Sequence, residues 1–322
     1  MPLKLGAATY TYLWQASLED AIRRLREIGF RYVEAMATPP HLWPRDTDAR
    51  RRERLRQLCE SLDVELVALN PTFLDLNLAS TNPGIRAETV KQLEETIDLA
   101  ADVGARLIVV ACGQRHPLIS PGPRELWRIV ADGLERCLER CDRRGVSLGL
   151  ENAWTVVDRA QQLVQLVRDH AHPRLQIAYD VANAAMVQSP SDGLRLVAGR
   201  LLHVHLSDTD RRVWAHDPIG HGVIDFAEIA AILRDIGYEG VSILEVTHPQ
   251  DSDSALRRAR RRSRRSGGRA DRAAGDRGPA DVAGRRGRRT PPSKENPSAR
   301  SEGPLRAGVM RRVPGAVSGP GA

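Results

Sequence analysis

Residues 201–226 read LLHVHLSDTDRRVWAHDPIGHGVIDF, and the reading of this stretch decides the fold. It opens with an apolar run, Leu201, Leu202, Val204 and Leu206, of the kind that forms a buried strand. His203 and His205 are two apart, so on a strand they point to the same side. Asp208 follows where the strand runs out into a loop. After Arg211 and a polar segment, Gly220-His221-Gly222 leads to Asp225, where an apolar-periodic helix begins. An imidazole at a strand end is a common ligand for a transition metal.

Three carboxylates elsewhere strengthen that reading, each closing its own apolar run. Glu151 ends Val146-Ser147-Leu148-Gly149-Leu150, Asp180 ends Leu175-Gln176-Ile177-Ala178-Tyr179, and Glu245 ends Val241-Ser242-Ile243-Leu244. An acid at the end of an apolar strand meets a desolvation cost unless it is paired or ligating. Four such groups, each at the C-terminal end of a strand, are what a parallel barrel produces when its strand tips converge on one pocket.

Working outward, the same alternation covers the chain up to about residue 250. Short apolar runs alternate with helical spacing, as in Leu18, Ala21, Ile22, Leu25 and Ile28 between Ser17 and Gly29, which read as an N-cap and a stop. Eight strand-then-helix units result, with helices expected over 48–62, 83–103, 123–144, 157–169, 191–199 and 226–236, and the last one after Asp253. Such alternation implies a parallel sheet with right-handed crossovers. An open doubly wound sheet would carry a glycine-rich loop after its first strand. Here Tyr10-Thr11-Tyr12-Leu13-Trp14 follows instead, so the expected fold is an α/β (β/α)8 barrel over residues 1–256.

Charge splits the chain in two. Of its 48 Lys+Arg and 41 Asp+Glu, 19 and 7 lie from Asp251 onward, leaving 29 against 34 for the body. The mildly acidic body argues against a nucleic-acid partner. Residues 257–322, rich in Arg, Gly and Pro without apolar periodicity, read as a disordered basic tail. A frameshift product is the preferred reading of it over a functional basic arm. Such a barrel would lose its eighth helix, uncovering apolar faces of its first and last strands. There is no membrane-length apolar run and no apolar core of a signal peptide. Cys59, Cys112, Cys137 and Cys141 form no CxxC pair, as expected for reduced thiols in a cytoplasmic protein.

With these residues in view, the stretch from Lys4 to His248 resembles the xylose-isomerase-like TIM barrels, the sugar isomerase and epimerase group that also includes the type IV apurinic endonucleases. The motifs that carry the resemblance are Gly149-Leu150-Glu151-Asn152, Tyr179-Asp180-Val181-Ala182-Asn183, His203-Val204-His205-Leu206-Ser207-Asp208, Gly220-His221-Gly222-Val223-Ile224-Asp225-Phe226 and Leu244-Glu245-Val246. The resemblance implies one divalent metal ion, manganese, magnesium, cobalt or zinc, held by Glu151, Asp180, His205 and Glu245. It implies that Glu151 and Glu245 are the catalytic acid/base pair. They would move a proton beside a sugar ketone through a metal-stabilised cis-enediolate. Arg211 resembles a substrate-binding arginine of the epimerase branch. Asn183 stands where many epimerases have a histidine that touches substrate, which leaves open which sugar is bound and whether it is phosphorylated.

Glu34, at the end of the second strand, is read as a substrate contact or a partner of a ligand, and His203 as a packing or supporting neighbour of the site. Asn152 reads as orienting a neighbour of the metal, and Trp14 and Trp43 as walls of the pocket. His216, Asp217 and His221 read as loop residues over it. Two alternatives stay open. One is an inosose-type dehydratase on the same scaffold. The other is an apurinic-site zinc hydrolase, disfavoured because the fourth strand ends at Val110-Ala111-Cys112-Gly113 without a histidine. The partner is a small sugar or polyol, with no membrane. Members of the group often pair, so a homo-oligomer stays open.

Overall fold

The structure, a computed structural model, describes residues 3–71, 75–153, 155–247 and 251–275, the last segment with side chains to 263. Eight parallel strands close in chain order: β1 (Lys4–Ala8), β2 (Tyr32–Ala37), β3 (Glu65–Pro71), β4 (Leu107–Ala111), β5 (Ser147–Glu151), β6 (Leu175–Asp180), β7 (Leu201–Leu206) and β8 (Val241–Leu244). β8 pairs with β1 to complete the ring, and the expected (β/α)8 barrel is what forms. Around it lie α1 (Leu18–Ile28), α2 (Ala49–Ser61), α3 (Pro83–Val103), α4 (Pro123–Arg144), α5 (Ala160–His170), α6 (Val181–Val187), α7 (Pro190–Val197), α8 (Phe226–Asp235) and α9 (Ser252–Gly275). Among the described residues no helix is long and apolar enough to cross a membrane.

Local signals place most boundaries. The Ser17 hydroxyl accepts from the Asp20 N–H and opens α1, and Gly29, at φ 101°, closes it, a left-handed conformation that glycine adopts without a Cβ penalty. α5 starts three residues later than its periodicity suggests. Val157 is held in a bridge to Ala153 across the loop after β5, so its backbone is committed before the helix can begin. The main core lies between strands and helices. A second, smaller cluster of Ala68, Leu107, Val109 and Ala178 fills the barrel on the strand faces that also carry Asn70, Glu151 and Asp180.

The C-terminal helix departs from the sequence reading. The barrel does not stop at residue 256, since α9 continues through Gly275. Ala255, Leu256 and Ala259 are fully buried. The Thr11 hydroxyl donates to Ser252 at 3.0 Å and the Tyr12 hydroxyl to Asp253 at 2.7 Å. Arg260 donates to the carbonyls of Ile28 and Gly29 at 3.0 and 2.8 Å, and its guanidinium lies 5.5 Å from the Phe30 ring centroid. A cation at the carbonyl end of α1 is favourably placed against the helix dipole. The arginines that made this stretch read as disordered are partly the fastening of the eighth helix. An amphipathic stripe only three residues long was too short to stand out among them. Residues 276–322, including the Pro/Gly/Ser-rich stretch, lie outside the described residues.

Candidate metal centre and active site

The register of the strands brings the sequence candidates together. Asp180 on β6 is the direct neighbour of His205 on β7. Leu206 pairs with Leu244, which sets Glu245 beside the end of β7, and Glu151 closes β5 next to Ala178 of β6. Because side chains alternate across a strand, a one-residue slip would turn these groups out of the barrel. In the observed register one ligand atom each from Glu151, Asp180, His205 and Glu245 lies within 4.8 Å of the others, and all four residues are buried.

His205 organises the cluster. Its Nδ1 lies 2.7 Å from Glu151 Oε1, 3.3 Å from Glu245 Oε2 and 3.9 Å from Asp180 Oδ2. Its Nε2 points the other way, 3.0 Å from Glu34 Oε2, which also takes the Nε2 of His203 at 2.8 Å. Asn70 donates to Glu34 Oε1 at 2.9 Å and reaches Glu245 Oε1 at 3.3 Å. Glu34 and His203 therefore sit beneath the site and steady the imidazole. A carboxylate behind a ligating histidine fixes both the tautomer and the ring orientation.

Asp180 carries the clearest sign of a missing partner. Its Oδ1 accepts from the Asn183 N–H at 2.6 Å, but its Oδ2, fully buried, has no hydrogen-bond partner. The Asn152 side chain clamps the backbone of Asp180 from both sides, accepting from its N–H and donating to its carbonyl, each at 2.9 Å. A buried, orphaned carboxylate oxygen is costly, and here it faces two further carboxylates and an imidazole nitrogen. A donor set of three carboxylates and one imidazole suits a divalent cation such as magnesium, manganese, cobalt or zinc. The residues fit the ion that the resemblance implies.

The charges respond to that crowding. Burial lifts Glu151 to about 7, offset only in part by His205, and lifts Asp180 to about 6 against the pull of His216. Burial acts the same way on Glu245, but His205 and His216 outweigh it and hold its carboxyl well below the usual range. Glu34 is likewise held down, to about 2, by His205 and His203. Burial disfavours the imidazolium of His205, yet Glu245, Glu34 and Glu151 raise it well above its ordinary value.

His216 is the site residue the sequence reading missed as such. Its Nδ1 lies 3.2 Å from Glu245 Oε2, 3.7 Å from Asp180 Oδ2 and 3.0 Å from the Ser207 hydroxyl, and these acids raise it to about 9 against the effect of burial. The loop that delivers it is built around Asp208. Both carboxylate oxygens of Asp208 are occupied: Oδ1 by the N–H groups of Thr209 and Ile224 at 3.0 and 3.1 Å, Oδ2 by that of Gly220 at 2.8 Å. A Cβ on Gly222 would strike the Thr209 carbonyl and Asp208, so this position admits only glycine without rearrangement. The signal for His216 was its separation of 11 residues from His205 along one loop, which no local periodicity marks.

Above the cluster opens a cavity of roughly 460 Å³, lined among others by Glu151, Glu245, His216, Asn183, Trp14 and Trp214, within the ~300–1,000 Å³ usual for small-molecule sites. Asn183 lines it and accepts from the Trp214 indole N–H at 2.6 Å. Trp14 stands at the mouth, 81% exposed. Arg211 is exposed, at φ 65°, and does not line the cavity. Neither does Trp43.

Comparison with known proteins agrees with this fold. The model of the xylose isomerase-like TIM barrel family matches residues 22–266. An uncharacterized protein of Methanocaldococcus jannaschii is 27% identical over 260 residues, 78% of this chain and 86% of its own length. Fructoselysine 3-epimerase of Shigella flexneri is 24% identical over 239 residues, 71% of this chain and 85% of its own. Among solved structures, a D-tagatose 3-epimerase-like protein superposes with a TM-score of 0.75 at 23% identity, covering 84% of this chain and all of that one. An L-ribulose 3-epimerase gives 0.72 at 21%, covering 85% and 97%. By sequence match and by fold, this chain belongs to the xylose isomerase-like TIM barrel family.

Proposed function

We propose that the chain is a divalent-metal-dependent epimerase or isomerase of a ketose or related sugar, working in the cytoplasm as its four free, buried thiols suggest. The observation that carries the reading is the placement of Glu151 and Glu245. Both reach the same cavity, from β5 and β8, on either side of Asp180 and His205. Epimerisation needs this: one group removes the proton beside the carbonyl on one face, and another returns a proton on the other face.

Glu151, Asp180, His205 and Glu245 would hold the cation. When bound, the ion polarises the substrate carbonyl and makes the neighbouring C–H acidic enough for a carboxylate to deprotonate. The chain's own residues do the rest. Glu151 reaches the cavity from the end of β5, where its carboxylate can take a proton from one face of the substrate carbon. Glu245 takes the complementary role and His216 and Asn70 orient it. Glu34 keeps His205 turned so that Nδ1 faces the site. The acids and His205 lie on a buried floor, which limits the water that can reach the reacting carbon. The Shigella flexneri relative is named as a fructoselysine 3-epimerase, which supports the carbon beside the ketone as the reacting centre.

The test is solvent exchange. Protein loaded with manganese and given a panel of ketoses in deuterium oxide should place deuterium on the carbon beside the carbonyl, and Glu151→Gln should not. Absence of exchange across the panel would overturn the reading. An enone chromophore formed from inososes would replace it with a dehydratase.

A further inference from the structure

Resting on that reading and narrowing it, the charge of the cavity selects the substrate class. Its charged lining groups are Asp75, Glu151, Glu245 and His216. Among the described residues no lysine or arginine lines it. Arg115, Arg211 and Arg212, carried by loops at the same end of the barrel, are exposed and off the cavity. Residues 72–74, 154 and 248–250 are Thr, Phe, Leu, Trp, His, Pro and Gln, so the undescribed positions of these loops add no such cation either.

Helix N-termini are the other usual seats for a phosphate, and at the starts of α6 and α8, which follow the ligand strand β6 and the loop of His216, carboxylates take them. Asp180 accepts from the Asn183 N–H at the start of α6. Asp225 accepts from the N–H groups of Ala227 and Glu228 at the start of α8. A divalent cation would not reverse the balance. It brings two positive charges to the three carboxylates of its own ligand set, and Asp75 adds another negative charge at the rim. His216, with Nδ1 already on Glu245 and Ser207, offsets at most one. A phosphate ester adds about −1.5 to −2 at neutral pH and would find no guanidinium or ammonium to receive it. Neutral groups suited to hydroxyls are at hand instead: Thr38, Asn70, Asn183 and Thr247, with the flat faces of Trp14 and Trp214 for the C–H surface of a sugar.

We infer that the cavity takes a free, unphosphorylated ketose and discriminates against the phosphate ester of the same sugar. The experiment uses the manganese-loaded full chain with two pairs of probes, D-fructose with D-fructose 6-phosphate and L-ribulose with L-ribulose 5-phosphate. Binding is followed by tryptophan fluorescence, since Trp14 and Trp214 line the cavity, and turnover by deuterium uptake. The free member of at least one pair should bind at least tenfold more tightly than its phosphate. Asp75→Arg, a change at an exposed rim position, should narrow that ratio several-fold by raising phosphate affinity. Equal or tighter binding of both phosphates overturns the inference, as does failure of both free sugars to bind. An unmoved ratio in Asp75→Arg removes charge as its cause. Selective binding of a free ketose with no deuterium uptake would leave this selectivity standing while the epimerase reading fell. Efficient exchange on the phosphates alone would do the reverse.

Discussion

Two buried aspartates near the tips of neighbouring strands, Asp180 on β6 and Asp208 just past β7, are both wholly inaccessible to solvent. Their surroundings differ in one respect. Asp208 has both oxygens filled by three backbone N–H donors, whereas Asp180 has one oxygen filled and the other with none. A satisfied buried carboxylate stabilises the loop it closes. An unsatisfied one costs stability and leaves an oxygen open to a partner from outside the chain. The difference separates a carboxylate that holds a loop from one that is left open, although both lie in short strand-end motifs.

The largest effect should fall on activity. Asp180→Asn and Glu151→Gln should each lower the rate of proton exchange by about 10²–10⁴, the scale of a lost acid/base or electrostatic group. The metal-free protein should lose no stability in Asp180→Asn, because the oxygen replaced made no hydrogen bond and its buried charge was costly. The manganese-induced rise in Tm should vanish in that variant. If Asp180→Asn instead unfolds the protein, the contrast with Asp208 is broken.

Asp208→Ala should do the opposite. Three backbone donors lose a charged acceptor, at a cost of about 3 kcal/mol or more, or roughly 6 °C or more in Tm. The variant should still show a manganese-induced stabilisation, measured as a Tm shift in the same melt. Next in size, Glu34→Gln should weaken manganese binding about 10–100-fold, the usual effect of removing the carboxylate behind a ligating histidine. Titration calorimetry on the metal-free protein would read this without depending on turnover.

The smallest effect is one of pH. In the metal-free protein Glu151 and Asp180 are raised, to about 7 and 6, so the folded state binds more protons than the unfolded one between roughly pH 4 and 7. His216 is raised to about 9, so its contribution is complete below about 6.5 and lost as pH rises through 9. Both push the same way, and metal-free stability should fall from pH 6 to 9. Glu34, held at about 2, contributes stability present above roughly 4.3 and lost as pH falls through its folded pKa. Metal ligands must be deprotonated to bind. The manganese-induced Tm shift should therefore be larger at pH 8 than at pH 5.5, with proton release on binding near pH 7.

Much of this was readable along the chain. Apolar runs ending in Glu151, Asp180, His205 and Glu245 marked strand tips, and the alternation of eight such runs with helical spacing marked the barrel. Asp180 was readable as a ligand candidate, and the structure adds a helix cap on its Oδ1 and an Oδ2 with no hydrogen-bond partner. His216, Asp208 and the far half of α9 could not be read this way. The pairing of His216 with Glu245 spans loops whose shape comes from Asp208 and two glycines. Arg260 gains its role from the end of α1, more than 200 residues earlier.

By itself the sequence determined the alternation that closes a parallel barrel and the four side chains at its strand tips, because those signals are local: period, strand-end position and residue type. Only the tertiary structure decided which carboxylate oxygen has no partner, which histidine joins the cluster and which charges face the cavity. Burial and hydrogen-bond satisfaction depend on groups brought together from distant parts of the chain, and no window of the sequence contains them.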